Sequence, residues 1–100
     1  MIRESRQALQ DRVSRAYGTL CSATMMTSEE TMELLSYVRL GINLHLVEDV
    51  TIPTVNELFI HTQPAHLQKL MGATLDGEER NAARARYLRT RLREAGAHPN

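Results

Sequence analysis

Apolar residues recur three and four positions apart along nearly the whole of this chain, and that spacing belongs to one kind of local structure, the amphipathic α-helix. Over residues 3–22, Leu9, Val13, Ala16 and Leu20, with Ile2 ahead of them, fall on one narrow stripe. Over residues 28–47, Leu34, Leu35, Val38, Ile42 and Leu46 form one face, and Tyr37, Leu40 and Leu44 form another. A helix that is apolar on two sides belongs at the centre of a bundle. No segment carries the period-two alternation of a half-buried strand, although Val47–Ile52 can be extended briefly.

The helix ends are punctuated. Thr27 followed by Glu30 is a capping box, in which each side chain takes the other residue's backbone N–H. Asp49-Val50-Thr51-Ile52 reads as a connector, and Pro53 suits the first turn of a third helix over 53–62. Pro64 interrupts that helix and opens a fourth, 64–71, which stops at Gly72, a natural left-handed cap. Asp76 with Glu79 predicts a second capping box, opening a last helix over 77–94. Gly18 and Gly41 lie inside helices and predict close approach of a neighbouring backbone; the residues from Gly96 on, Pro99 included, are expected to fray. The expected fold is all-α, a single small bundle of about five helices over residues 1–100.

A chain of 100 residues can bury one core without disulfides or a structural metal. Aromatics are few (Tyr17, Tyr37, Phe59 and Tyr87), so that core is built from Leu, Ile, Val, Met and Ala. Met25, Met26, Met32 and Met71 are read as core filler ahead of partner-facing surface. No apolar run is long enough to span a bilayer, and the first residues lack the apolar stretch of a signal peptide. The expectation is a cytoplasmic protein that does not engage a membrane.

Most routes to chemistry lack their residues. Cys21 is the one cysteine, and the sequence supplies no histidine partner to make it a nucleophile, so it is read as a packing residue. His61 and His66 are five apart with Pro64 between them, whereas a zinc pair on one helix needs i,i+4 spacing. His45 falls near the apolar face of the second helix and is expected to be a hydrogen-bonded core residue. Neither a Walker A pattern nor G-x-G-x-x-G is present to cradle a nucleotide. No catalytic residue, metal or cofactor is therefore assigned to these residues.

Charge is uneven. Residues 1–21 carry a net +2, residues 22–63 a net −5 and residues 77–100 a net +3. The acidic middle argues against nucleic-acid binding. Eleven of the twelve basic residues are arginine, a skew that a G+C-rich genome produces and that a need for planar phosphate-gripping forks also produces. On a helical wheel of the last segment, Asn81, Ala85, Leu88 and Leu92 share the packed face. Arg80, Arg84 and Arg91 flank it with Tyr87, while Arg86, Arg89 and Arg93 point toward solvent. Arg80 and Arg84, one turn apart, can hold a phosphoryl group from two sides; the plainer reading is a solvated basic face paired with Glu78 and Glu79.

Six stretches in order carry a resemblance. They are Asp11–Gly18 (DRVSRAYG), Ser28-Glu29-Glu30, Val38–Ile42 (VRLGI), Ile52–Leu58 (IPTVNEL), Thr62–Gln68 (TQPAHLQ) and Glu78–Ala85 (EERNAARA). Together, over residues 2–94, they resemble the C-terminal region of the McsB-type protein-arginine kinases, members of the ATP:guanido phosphotransferase family. The resemblance implies a helical domain that follows a catalytic domain. ATP, magnesium and the reacting groups would sit in that catalytic domain, so this fragment alone is expected to be inactive. It also implies a phosphoarginine-binding motif, R-D-x-x-R-A, falling on Arg80-Asn81-Ala82-Ala83-Arg84-Ala85, where Asn81 stands in place of Asp. The implied partners are phosphoarginine-bearing proteins, a second copy in a homodimer, and a protease or chaperone partner in protein quality control. The other reading left open is a structural dimerisation module whose pocket is not functional.

Overall fold

Four of the helices begin where a side-chain oxygen takes one of the N–H groups that a first turn leaves unpaired. The computed structural model describes residues 5–72 and 75–96. In it Ser5 accepts from Ala8 N at 3.1 Å and opens α1, Arg6–Ser22. Thr27 accepts from Glu30 N at 3.1 Å while Glu30 Oε1 accepts from Thr27 N at 3.3 Å, the full capping box, and opens α2, Ser28–Asn43. Thr51 accepts from Thr54 N at 3.4 Å before α3, Ile52–His61. Asp76 accepts from Glu79 N at 2.8 Å before α5, Gly77–Glu94. The exception is α4, Pro64–Met71, where proline at the start has no N–H to satisfy and Gly72 closes the end with φ 67°.

The expected all-α bundle of five helices is the fold of the described residues. The helices α1 and α2 lie against each other, α5 packs on α1, α3 on α2, and α4 bridges α3 and α5. Leu20, Leu35, Val38, Val55, Leu58, Leu88 and Leu92 meet in the centre, each at most 1% exposed. Of the stripe read from the first segment, Val13, Ala16 and Leu20 are buried and Leu9 is half-buried; Ile2 lies outside the described residues, as do the expected frayed residues beyond Gly96.

Three expectations change. The second helix stops at Asn43 rather than at residue 47, and His45 sits in the turn behind it with φ 59°, exposed rather than in the core. The turn forms because Leu46 N and Val47 N both donate to Gly41 O, at 2.7 and 3.2 Å, which folds the chain back before another helical turn can be added. Of the methionines read as core filler, only Met26 is buried; Met25, Met32 and Met71 are 42–53% exposed. The second capping box shows only its Asp76 half, because Glu79's side chain lies beside the Asp76 carboxylate instead of on the cap's N–H.

The two helical glycines separate. A Cβ on Gly41 would stand 2.5 Å from Val13 Cγ1 and 2.9 Å from Val47 Cγ2, so α1 and the α2–α3 turn close onto bare backbone there. A Cβ on Gly18 would meet nothing within 4 Å, so the close approach expected at that position is absent. Gly41→Ala should destabilise the fold by about 1–3 kcal/mol through overpacking between two stiff valines. Gly18→Ala should stabilise it by about 0.5–1 kcal/mol through helix propensity alone. Urea denaturation of the two variants should thus move the midpoint in opposite directions.

Candidate functional site

Six arginines on one helix cannot all be treated alike, because their depths differ. On α5, Arg86 and Arg93 are exposed, as the wheel placed them. Arg89 is half-buried and donates from Nη1 to the carbonyl of Ala23 behind α1, so it does not point to solvent. Arg91 binds Glu57 Oε1 at 3.1 Å and Glu94 Oε2 at 2.9 Å. Neither Arg80 nor Arg84 forms a salt bridge with Glu78 or Glu79 among the described residues, so the plain reading of a paired surface face does not describe them.

Arg84 lies deeper than the wheel placed it. It is 1% exposed, inside the buried face with Ala85 and Leu88. Its Nε donates to Thr62 O at 2.8 Å, and its Nη1 donates to Met26 O and to Asn81 Oδ1, each at 2.8 Å. One guanidinium thus joins the loop before α2, the α3–α4 junction and α5. Each of the two carbonyls belongs to a residue at a helix boundary, where the backbone is not consumed by the helix ladder. Nη2 makes no hydrogen bond among the described residues.

Among the described residues no carboxylate touches this buried cation. Burial pulls the Arg84 guanidinium below its ordinary range, the neighbouring Arg80 pushes it further the same way, and Glu29 acts in the opposite sense from a distance. Buried charges are ordinarily paired, since desolvation is otherwise uncompensated. Here three neutral oxygens solvate the charge, and among the described residues no carboxylate is in contact with it.

Arg80 sits one turn earlier, half-buried, with Nη2 donating to Leu75 O at 3.0 Å. Its Nε is buried with no hydrogen-bond partner among the described residues. Asn81 is half-buried between them in sequence; its backbone carbonyl accepts from Met26 N at 3.1 Å and its Oδ1 is taken by Arg84. The structure therefore brings Arg80, Asn81 and Arg84 together, with unspent donors on two like-charged forks. Such an arrangement can stabilise an anion, because each oxygen of a phosphoryl or carboxylate group is an acceptor.

The remaining candidates are occupied otherwise. His61 shares a 2.7 Å hydrogen bond between Nδ1 and Tyr87 Oη, and lies 3.8 Å from Glu57, while His66 is exposed. Among the described residues no three His, Cys, Asp or Glu side chains gather as a metal site. Cys21 is half-buried against the core, and burial raises its thiol above the ordinary range even though Arg93 acts to lower it, which fits a packing residue. Burial also pushes the Tyr17 phenol up to about 12, assisted by Cys21 and Asp49. Among the described residues no helix is long and apolar enough to cross a membrane.

The linked set His61–Tyr87–Glu57–Arg91 was not visible in the sequence. Its one local clue is the Glu57/His61 pair at i,i+4 on α3; the partners on α5 come from 26 and 34 residues away.

The sequence profile described as "Protein-arginine kinase McsB C-terminal domain" matches residues 6–100. A protein-arginine kinase of Symbiobacterium thermophilum is 48% identical over 89 residues, covering 89% of this chain and 25% of that protein. One from Bacillus velezensis is 46% identical over 88 residues, covering 88% and 24%. One from Clostridium kluyveri is 37% identical over 92 residues, covering 92% and 27%. The chain thus spans about a quarter of the length of the curated relatives it matches.

Proposed function

On the premise that this chain belongs to the protein-arginine kinase McsB C-terminal domain family, we propose that it is the phosphoarginine-binding and dimerisation module of such a kinase. In this reading it carries no phosphotransfer chemistry of its own. ATP, magnesium and the reacting arginine are handled by a separate catalytic domain. Phosphoarginine on a substrate protein, or on a neighbouring kinase copy, docks at Arg80, Asn81 and Arg84. Docking then couples to kinase activity or to delivery of marked proteins to a protease or chaperone partner in the cytoplasm.

The observation that carries the ligand reading is the un-neutralised charge. Among the described residues Arg84 is buried with no carboxylate in contact, Arg80 stands close enough to depress its basicity, and Arg80 Nε is buried without an acceptor. A dianionic phosphoryl group supplies a counter-charge in direct contact and acceptor oxygens for the remaining donors. Arg80 is the residue to test, since it is half-buried and its one side-chain hydrogen bond among the described residues is to Leu75 O. Titration calorimetry with phosphoarginine should give saturable heat for the native chain. Arg80→Gln should weaken binding about tenfold or more, the loss of one charge-assisted contact, while leaving the melting temperature nearly unchanged. Equal binding by the variant would remove the assignment.

A second reading has its own observation. Arg84 is 1% exposed and spends Nε and Nη1 on Thr62 O, Met26 O and Asn81 Oδ1, which is what a purely structural arginine does. Under that reading the chain is a helical dimerisation scaffold. A dimer in sedimentation analysis that gives no heat with phosphoarginine would favour the scaffold; a monomer that binds would remove the dimer part of the proposal.

A further inference from the structure

Granted the binding site just proposed, we propose that it takes phosphoarginine together with an apolar residue of the polypeptide that carries it, and that this residue sits in the groove between the end of α4 and α5. The groove is a cavity of about 600 Å³, within the range of about 300–1,000 Å³ common for ligand sites. Met71 at the end of α4, Leu75 in the connector, and Ala82, Ala83 and Tyr87 on α5 line it. Met71 is 42% exposed, an apolar side chain that the bundle leaves open to solvent. The Tyr87 hydroxyl is engaged with His61 Nδ1 at 2.7 Å, which leaves its ring as its contribution to the groove. The charged residues on the groove, Glu79 and Arg86, are of opposite sign and both exposed, so it favours neither sign of occupant.

Continuity with Arg80 assigns the occupant. Leu75 belongs to both places. Its carbonyl accepts from Arg80 Nη2 at 3.0 Å, its N–H donates to Gln68 Oε1 at 3.1 Å, and the residue lines the groove. The connector is thereby pinned to α4 on one side and to Arg80 on the other, so one fixed residue joins the groove to the guanidinium. Glu79 and Ala83, which precede Arg80 and Arg84 in the chain, line the same cavity. A phosphoarginine that is part of a protein brings its neighbours with it, at about 3.3–3.6 Å per residue of extended chain. On the far side of Arg84 the space is taken by the backbone of Met26 and Thr62, whose carbonyls each accept from it at 2.8 Å. The neighbour therefore lies toward the groove. Mostly apolar walls favour an apolar side chain there by removing it from water, and leave a polar one short of partners.

The test is titration calorimetry with free phosphoarginine and with short capped peptides that hold phosphoarginine between two leucines or between two serines. The native chain should bind the leucine peptide about tenfold or more tighter than the serine peptide, and the serine peptide within about threefold of free phosphoarginine. The leucine peptide with unmodified arginine should bind at least about tenfold more weakly than its phosphorylated form. Met71→Ser removes an apolar wall and Ala82→Gln puts a neutral polar side chain into the groove. Each, once a melting curve shows it folded, should cut the leucine advantage to about threefold or less and leave the affinity for free phosphoarginine unchanged. Leucine and serine peptides of equal affinity on the native chain would overturn the inference and leave the phosphoarginine site standing. An undiminished leucine advantage in both folded variants would overturn the place given to the groove. Equal binding of the unmodified leucine peptide would make the groove an apolar site uncoupled from the phosphoryl group, which also overturns the inference. So would a dimer that becomes a monomer in both variants with the leucine advantage intact, since a second copy would then be the occupant. Failure of the native chain to bind any phosphorylated probe would remove the site itself.

Discussion

Replacing Arg84 by methionine should lower the unfolding free energy by about 3–5 kcal/mol, a large share of the 5–15 kcal/mol typical of a single domain. Methionine fills much of the apolar part of the space but supplies no donor. Thr62 O, Met26 O and Asn81 Oδ1 would each lose the N–H that now lies at 2.8 Å. A buried polar atom left unpaired costs about 1–3 kcal/mol. Full additivity is not expected, since carbonyls have a second lone pair and water can enter at the rim. Arg84→Lys should recover only part of the loss, because a single ammonium cannot reproduce a planar fork that reaches two loops at once. Thermal and urea unfolding with circular dichroism would measure this, and a loss below about 1 kcal/mol for Arg84→Met would show that the three contacts are not what holds the loops. The same effect means that lost ligand binding in an Arg84 variant says little unless the protein is shown to be folded.

Leu88→Ala should cost about 2–5 kcal/mol by a different mechanism. Leu88 is fully buried one turn beyond Arg84 and belongs to the same central cluster as Leu35, Val38, Val55 and Leu58. Truncation removes apolar burial and leaves a cavity among helices that are fixed by their own caps and cannot collapse freely onto it. The loss should shorten native-state hydrogen-exchange protection across α2, α3 and α5 together, because the cluster is shared. If exchange rose in α5 alone, the five helices would not be unfolding as one cooperative unit. Because residues 84 and 88 are neighbours on one helix face, the double variant is expected to depart from the sum of the singles.

The depth of Arg84 also explains why the wheel was informative about direction and misleading about depth. It placed Arg80 and Arg84 as adjacent, and the structure keeps them so. It put Arg84 on the flank of the packed stripe, where an arginine is ordinarily free to reach solvent. The side chain goes inward because two loop carbonyls, Thr62 O and Met26 O, wait there, and those residues are 22 and 58 positions away in sequence. Arg89 and Ala23 repeat the lesson over 66 positions.

The sequence by itself determined the helices and most of their ends. A cap bond spans three residues and an apolar stripe spans four, so Thr27 with Glu30, Pro53, Pro64, Gly72 and Asp76 could be read without knowing what packs where, whereas Thr51, the cap of α3, reads only as part of a connector. It also determined that Gly41 needed bare backbone, but not that Gly18 did not, since only the arriving valines distinguish them. Tertiary structure alone decided where α2 turns, which methionine is buried, and which arginine becomes a buried, carboxylate-free cation. Those outcomes depend on polar groups and side chains brought together across long stretches of chain, and no local period records which of them will arrive beside a given residue.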